Sequence, residues 1–286
     1  MNEKNKKQRL DILLVERGLF TARDKAKAAI MAGEVLVNGQ KADKSGAAFA
    51  FDVSIELTGD KLPYVSRGGL KLAHAIGCFG LGFSGKTVLD IGSSTGGFVD
   101  CALQNGAQKV YSVDVGYGQL AWKLRTDSRV VVLEKTNARY LTCEQIPESV
   151  DFLTVDASFI SLAKILPAPS GFLKKGGILV ALVKPQFEAG RENVGKKGVV
   201  RDQLVHKKVL REVCAAVTQL SLSLRGLDFS PLLGPEGNME FLLWAQKEVT
   251  GFLTAAEAKE FDEKEIEIKV EEVIVAARSF HFGENS

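Results

Sequence analysis

Four charged residues stand at places where an alternating strand-and-helix chain brings apolar runs to a stop. Lys71 lies in SRGGLKLAHAI, Asp156 ends VDFLTVD, Lys184 ends GILVALV, and Glu240 heads MEFLLWAQ. A charge beside buried strand residues is costly unless it meets a partner or performs chemistry. The set holds two ammonium groups and two carboxylates. A lysine whose pKa is lowered by burial and by neighbouring positive charge can act on the proton of a weakly acidic hydroxyl, while carboxylates keep its amine oriented. The chemistry this suggests is activation of a poor oxygen nucleophile. Taken singly, each residue has a plainer reading: Asp156 as a helix cap, Lys71 and Glu240 as surface salt-bridge partners.

The elements that must position these residues are legible as continuous Val, Leu and Ile runs separated by helical spacings. The runs are KTVLDI (86–91), KVYSVDV (109–115), RVVVLE (129–134), VDFLTVD (150–156) and GILVALV (177–183). Such a pattern predicts a mostly parallel sheet covered on both faces, with ligands at the carboxyl ends of the strands. Asp156 and Lys184 then share one sheet edge and should face each other. The first strand ends in VLDIGSSTGGF, where Gly92, Ser93, Ser94, Gly96 and Gly97 turn straight into a helix at Phe98. Asp90 precedes the turn, and Asp114 ends the second strand, where a carboxylate can accept both hydroxyls of a ribose. A nicotinamide enzyme would share that acidic residue. Its turn, however, would be GxGxxG, whereas GSSTGG lacks the middle glycine that admits a pyrophosphate and so favours a ligand without phosphates.

Residues 1–60 read as a separate small domain, with 61–67 as linker and 68–286 as the larger α/β domain. RLDILLVERGLF places Leu10, Leu13, Leu14 and Val15 on one helical stripe that Gly18 would stop. Thr21 would cap a second helix, ARDKAKAAIMAG, ended by Gly33. EVLVNGQKADKSG then reads as a hairpin turning at Asn38-Gly39.

Composition narrows the function classes. MNEKNKKQRL has no export-signal character, and the longest apolar run, Gly176 to Val183, is far shorter than a membrane helix needs, so a cytoplasmic protein with no membrane role is expected. Four dispersed cysteines without a CxxC pair and three isolated histidines predict no metal site. The net charge of +2 divides into −5 for residues 251–286 and +7 for the remainder, a distribution compatible with a nucleic-acid partner. The stretch PQFEAGRENVGKKGVVRD after Lys184 reads as a long basic loop, in which Arg191, Lys196 and Lys197 could clamp an RNA strand. Val270, Val273, Ile274 and Ala277 mark the stripe of a closing helix.

The VLDIGSSTGGF turn with Asp114 and the Lys, Asp, Lys, Glu set resembles the FtsJ-type methyltransferases. RLD, ARDKAKAAI and GEVLVNG together resemble the S-four-type RNA-binding domain. The two joined through VSRGGLKL resemble the TlyA family, whose members are often labelled hemolysins, over nearly the whole chain. The resemblance implies a Rossmann-like class I sheet with its last strand antiparallel, which would bring Glu240 to the shared edge, behind a small α+β domain. It implies S-adenosyl-L-methionine as cofactor, bordered by Asp90, Gly92, Ser93, Ser94, Gly96, Gly97, Phe98 and Asp156, with Asp114 on the ribose and Asn137 of KTNAR at the adenine. It implies 2'-O-methylation of cytidine in ribosomal RNA or ribosomal subunits, with Lys184 acting on the hydroxyl proton, Asp156 orienting it, and Lys71 and Glu240 holding the ribose and the network. The basic residues nominated for RNA are Arg9, Arg23, Lys25, Lys27, Lys41 and Arg67, besides those of the loop. Two rival readings are an RNA-binding protein with an inactive methyltransferase fold and a membrane-active hemolysin. All four polar residues are present, against the first, and no segment suited to entering lipid is found, against the second.

Overall fold

The computed structural model describes residues 7–17, 19–20, 22–31, 33–57, 62–248 and 261–283. The chain divides into two compact units, residues 1–62 and 63–286.

The first unit begins with strand β1 (Gln8–Arg9), helix α1 (Leu10–Glu16) and helix α2 (Arg23–Met31). Leu10 and Leu14 pack against Ala26, Ala29 and Ile30 of α2 and against Val35 and Val37 of β2 (Val35–Val37). The chain turns at Asn38 and Gly39, with φ of +51° and +76°, into β3 (Gln40–Lys41), as the Asn-Gly pair predicts for a two-residue hairpin. Strand β4 (Ala48–Phe49) pairs with β1, and β5 (Ile55–Leu57) lies along the other side of β2. Asp11 occupies the inward face of α1, fully buried, and is paired with Arg9 (3.1 Å) and Arg23 (2.9 Å). The Arg9 guanidinium holds its carboxyl at about 2, well below the ordinary value. The expected helix stop at Gly18 and cap at Thr21, and the start of the linker, lie outside the described residues.

The second unit is built on one seven-stranded sheet. Its strands are β6 (Thr87–Ile91), β7 (Lys109–Val113), β8 (Val130–Leu133), β9 (Val150–Val155), β10 (Leu173–Val183), β11 (Leu222–Phe229) and β12 (Phe241–Lys247). The order across the sheet is β11-β12-β10-β9-β6-β7-β8, parallel from β10 to β8, with β12 antiparallel to both of its neighbours. Alternation along β10 serves both faces. Leu179, Ala181 and Val183 join one core cluster, with Val209, Leu210 and Val213 of α9 (Gln203–Thr218) and Val270, Val273 and Ile274 of α10 (Glu263–Phe282). Val180 and Leu182 join the other, with Leu72 of α3 (Gly68–Phe79) and Phe98 and Val99 of α4 (Gly97–Gln104). Asp262 and Glu265 form a reciprocal capping box that fixes where α10 begins.

Three expectations need correction. Strand β11 was not anticipated: Gly226 and the charged Arg225 and Asp228 interrupt its apolar pattern, and its pairing with β12 slips register between Leu224 and Gly226. Strand β10 begins at Leu173, four residues before the apolar run starts. The basic stretch after Lys184 is not an open loop. It folds into a helical turn (Pro185–Glu188) and a 3-10 turn (Arg191–Asn193). Asn238 then holds its far end by accepting from Val200 N–H (2.9 Å) and donating to Gly198 C=O (2.8 Å).

Because Ile274 is fully buried and Val275 is on the exposed side of α10, Ile274→Ala should lower unfolding free energy by about 2–5 kcal/mol and Val275→Ala by no more than about 0.5 kcal/mol. Urea unfolding of the full chain measures both, and equal reductions would contradict the packing of α10.

Candidate active site

The turn after β6 needs its glycines for two reasons. Gly92 and Gly96 have φ of +82° and +97°, and a Cβ on Gly92 would stand 2.7 Å from the Asp156 carbonyl oxygen. A Cβ on Gly97 would meet the Gly69 nitrogen at 2.7 Å, so this glycine lets α4 start against α3. Asp114, one residue past β7, braces the turn: its two carboxylate oxygens accept from Ser94 N–H and Gly116 N–H, each at 2.7 Å. Beneath the turn lies Asp90, wholly buried. The Thr154 hydroxyl donates to its Oδ1 at 2.6 Å, Oδ2 has no hydrogen-bond partner among the described residues, and burial pushes its carboxyl up to about 7.

Two cavities meet at this turn. One, of about 460 Å³, is a trough running from Gly92 and Ser94 past Asp114 to Asn137, whose side chain accepts from Arg139 N–H and caps a 3-10 turn. Among the described residues its walls contain the carboxylates of Asp114 and Asp156 and neither lysine nor arginine. A trough of that charge suits a cationic nucleoside and offers nothing to a pyrophosphate, which helix termini and basic groups would have to hold. S-adenosylmethionine, a sulfonium nucleoside, fits that charge, and Gly92 leaves the backbone bare at the edge of the trough.

The second cavity, of about 430 Å³, receives Lys71 from α3, Asp156 from the tip of β9, Lys184 from the tip of β10 and Glu240 from the approach to β12. All four predicted residues are therefore brought together. Lys184 Nζ lies 2.6 Å from Asp156 Oδ1 and donates to Ser158 Oγ at 3.0 Å. Lys71 donates to Glu240. Both lysines are buried, and Glu240 is 1% exposed. Burial raises the Glu240 carboxyl above its ordinary value, against the pull of Lys71 and Lys184. Asp156 and Phe159 belong to both cavities, so the quartet adjoins the trough directly.

Of the other predicted site residues, Ser93, Gly97 and Phe98 border the second cavity, Ser94 and Gly92 both, and Arg67 stands exposed at the second. Asp90 and Gly96 line neither; Asp90 supports the turn from below. Arg191, Lys196 and Lys197 are exposed and border neither. In the first unit Lys25 and Lys41 are exposed, Lys27 is 3.8 Å from Asp24, and Arg9 and Arg23 are half-exposed while bound to Asp11. Sequence reasoning missed Ser158 and Phe159. Ser158 could have been found as the small hydroxyl two residues past Asp156. Phe159 gave no such signal: it has a φ of +63° and is 89% exposed, with its ring centroid 4.9 Å from that of Phe187. A bulky residue held in that strained region commonly marks a functional rim.

Residues 64–247 match the family model of the FtsJ-like methyltransferases, and residues 8–47 match that of the S4 domain. Over 269 residues the chain is 52% identical to the protein YqxC of Bacillus subtilis, covering 94% of each. It is 43% identical over 251 residues to the 16S/23S rRNA (cytidine-2'-O)-methyltransferase TlyA of Mycobacterium tuberculosis, covering 87% of this chain and 94% of that one. The solved structure of a hemolysin-labelled protein from Streptococcus thermophilus, 44% identical, superposes with a TM-score of 0.74 over 96% of both chains.

Asp90 also makes stability depend on pH. Its folded carboxyl titrates near 7 against an ordinary value of 3.8, so its protonated form favours the fold; that stabilisation is complete below the ordinary value and disappears as pH rises through about 7. Asp90→Asn, neutral and of the same shape, should therefore gain on the wild type between pH 4 and 7 by up to about 1.4 kcal/mol per pH unit. Denaturant unfolding at a series of pH values reads the difference, and a constant gap would contradict the buried titration.

Proposed function

We propose, for a chain that belongs to the TlyA family of FtsJ-like methyltransferases, that it methylates the ribose 2'-hydroxyl of cytidine in ribosomal RNA, with S-adenosylmethionine as donor. The observation that carries this reading is the meeting of a trough without a described lysine or arginine and a Lys-Asp-Lys-Glu quartet, three of its members buried, at one sheet edge. The bound cofactor supplies an electrophilic methyl group. Asp114 keeps one lone pair on each oxygen free of its backbone donors, enough to accept two ribose hydroxyls, and Asn137 lies at the far end for the base.

A ribose hydroxyl is a weak nucleophile at neutral pH, so its proton must be dealt with as the oxygen attacks. In this reading Lys184 Nζ acts on that proton, held in direction by Asp156 and Ser158. Lys71, anchored by Glu240, holds the ribose. Phe159 offers an aromatic face to a base turned out of its stack. The relative TlyA of Mycobacterium tuberculosis carries cytidine and ribosomal RNA in its name, which supports the substrate. The S4 domain (residues 1–60 by the sequence reading) engages folded RNA chiefly through phosphates, with 68–286 as the catalytic part. No described helix is long and apolar enough to cross a membrane, and work on ribosomes agrees with a cytoplasmic location.

Lys184→Ala should lower methyl transfer by at least about 10²-fold while calorimetry still detects cofactor and filter binding still detects RNA. Turnover near the wild-type rate would overturn the assignment of Lys184. Replacing Arg191, Lys196 and Lys197 together by Ala should weaken RNA binding at low salt and flatten its salt dependence, by about 0.7–0.9 in log-log slope for each phosphate no longer neutralised. An unchanged slope would remove the loop from the RNA path.

A further inference from the structure

Helix α3 does more than deliver Lys71. Lys71, His74 and Cys78 follow the i, i+3, i+7 spacing of one helical face. That face comes against β11 because Gly226 leaves room: a Cβ there would stand 2.8 Å from the Phe79 ring. Two residues along, on the same side of β11, stands Asp228.

His74 Nε2 lies 3.4 Å from Asp228 Oδ2, yet it is buried without a hydrogen-bond partner among the described residues. An imidazole nitrogen and a carboxylate oxygen close together but not aligned as donor and acceptor are arranged as two ligands of one cation would be. Tetrahedral zinc with nitrogen and oxygen ligands at ~2.0–2.1 Å separates them by roughly 3.3 Å. The Cys78 sulfur completes the group: the three ligand atoms all lie within 4.8 Å of one another. The sulfur edges of such a tetrahedron are roughly 3.5 Å, within reach of a χ1 adjustment by an exposed cysteine. None of the three residues borders the trough or the quartet's cavity.

We propose that His74, Cys78 and Asp228 form a binding site for a divalent transition-metal ion of the zinc class, with water as fourth ligand, clamping α3 to β11. Binding replaces the S–H bond by a sulfur–metal bond and releases the thiol proton to solvent. The ligands come from two elements far apart in sequence. Their clamp would fix the helix that presents Lys71 one turn earlier.

Cobalt(II) is the probe, titrated anaerobically into full-length, chelator-treated protein. The expected result is a thiolate-to-cobalt charge-transfer band with the visible bands of a four-coordinate ion, bleached by added Zn²⁺. Cys78→Ser should abolish the charge-transfer band, and Asp228→Asn should weaken cobalt binding at least about tenfold. Cys143→Ser, which removes the other exposed cysteine, should leave the spectrum as it is. Zn²⁺ should raise the thermal midpoint of the wild type and leave that of Cys78→Ser where it was. Cofactor affinity, measured by calorimetry on each variant, reports that the catalytic unit is folded. Absence of the band in the wild type, its survival in Cys78→Ser, or undiminished binding by Asp228→Asn overturns the proposal.

Discussion

The catalytic unit depends on one electrostatic arrangement: two buried lysines, a buried glutamate and a half-buried aspartate gathered in a single cavity. Each charge alone would carry a desolvation penalty of several kcal/mol, which only close pairing can offset. Lys71 with Glu240 and Lys184 with Asp156 provide that pairing. The pairs come from four separate elements, so the sheet order is itself a condition of their existence. Strands β9 and β10 must be parallel neighbours to place Asp156 beside Lys184, and β12 must run antiparallel for its start to return to the same edge. A buried pair of this kind is a weak source of stability, since apolar residues of similar volume commonly do as well or better. Its presence beside an open trough therefore points to chemistry.

The same logic explains the cofactor side. Asp90 is buried beneath the turn with one oxygen unmatched, a position that favours its neutral form, while Asp114 at the rim accepts from the backbone N–H groups that hold the turn open. Negative charge is thus graded from a buried, protonatable group below to half-buried acceptors above. The absence of a basic side chain from the trough wall, among the described residues, is what favours a sulfonium nucleoside over a dinucleotide as occupant. The glycine turn alone would not have decided between them.

Much of this was legible in the sequence because it rests on local signals: apolar runs ending in a charge, Asn38-Gly39 as a hairpin, and the stripe from Val270 to Ala277. The tips of β9 and β10 were placed within a residue and that of β7 within two, and Asp114, Asp156 and Lys184 each lie just past the last paired position. What escaped was set by tertiary context. Strand β11 carries Arg225, Gly226 and Asp228 where a strand pattern wants apolar residues, and the packing of Phe79 and Trp244 on Gly226 explains the glycine. The chain after Lys184 looked open because its restraint, Asn238, lies some forty residues away. His74 and Asp228 belong to different elements, so no spacing rule could join them.

The first unit shows a different use of charge. Asp11 sits in the hydrophobic face of α1, and Arg9 and Arg23 fold over it. Their guanidinium groups are committed on one side to a carboxylate held near 2 and are half-exposed on the other. Two cations and one anion leave a net single positive charge in a fixed fork, weaker toward phosphate than two free arginines but lower in the entropy it gives up on binding. Lys25 and Lys41 are exposed and in no ion pair among the described residues, so they stand as separate point charges. An arginine fork held in place by a buried carboxylate, with two exposed lysines on the same module, has the chemistry that suits phosphates, which position an RNA without reading its sequence.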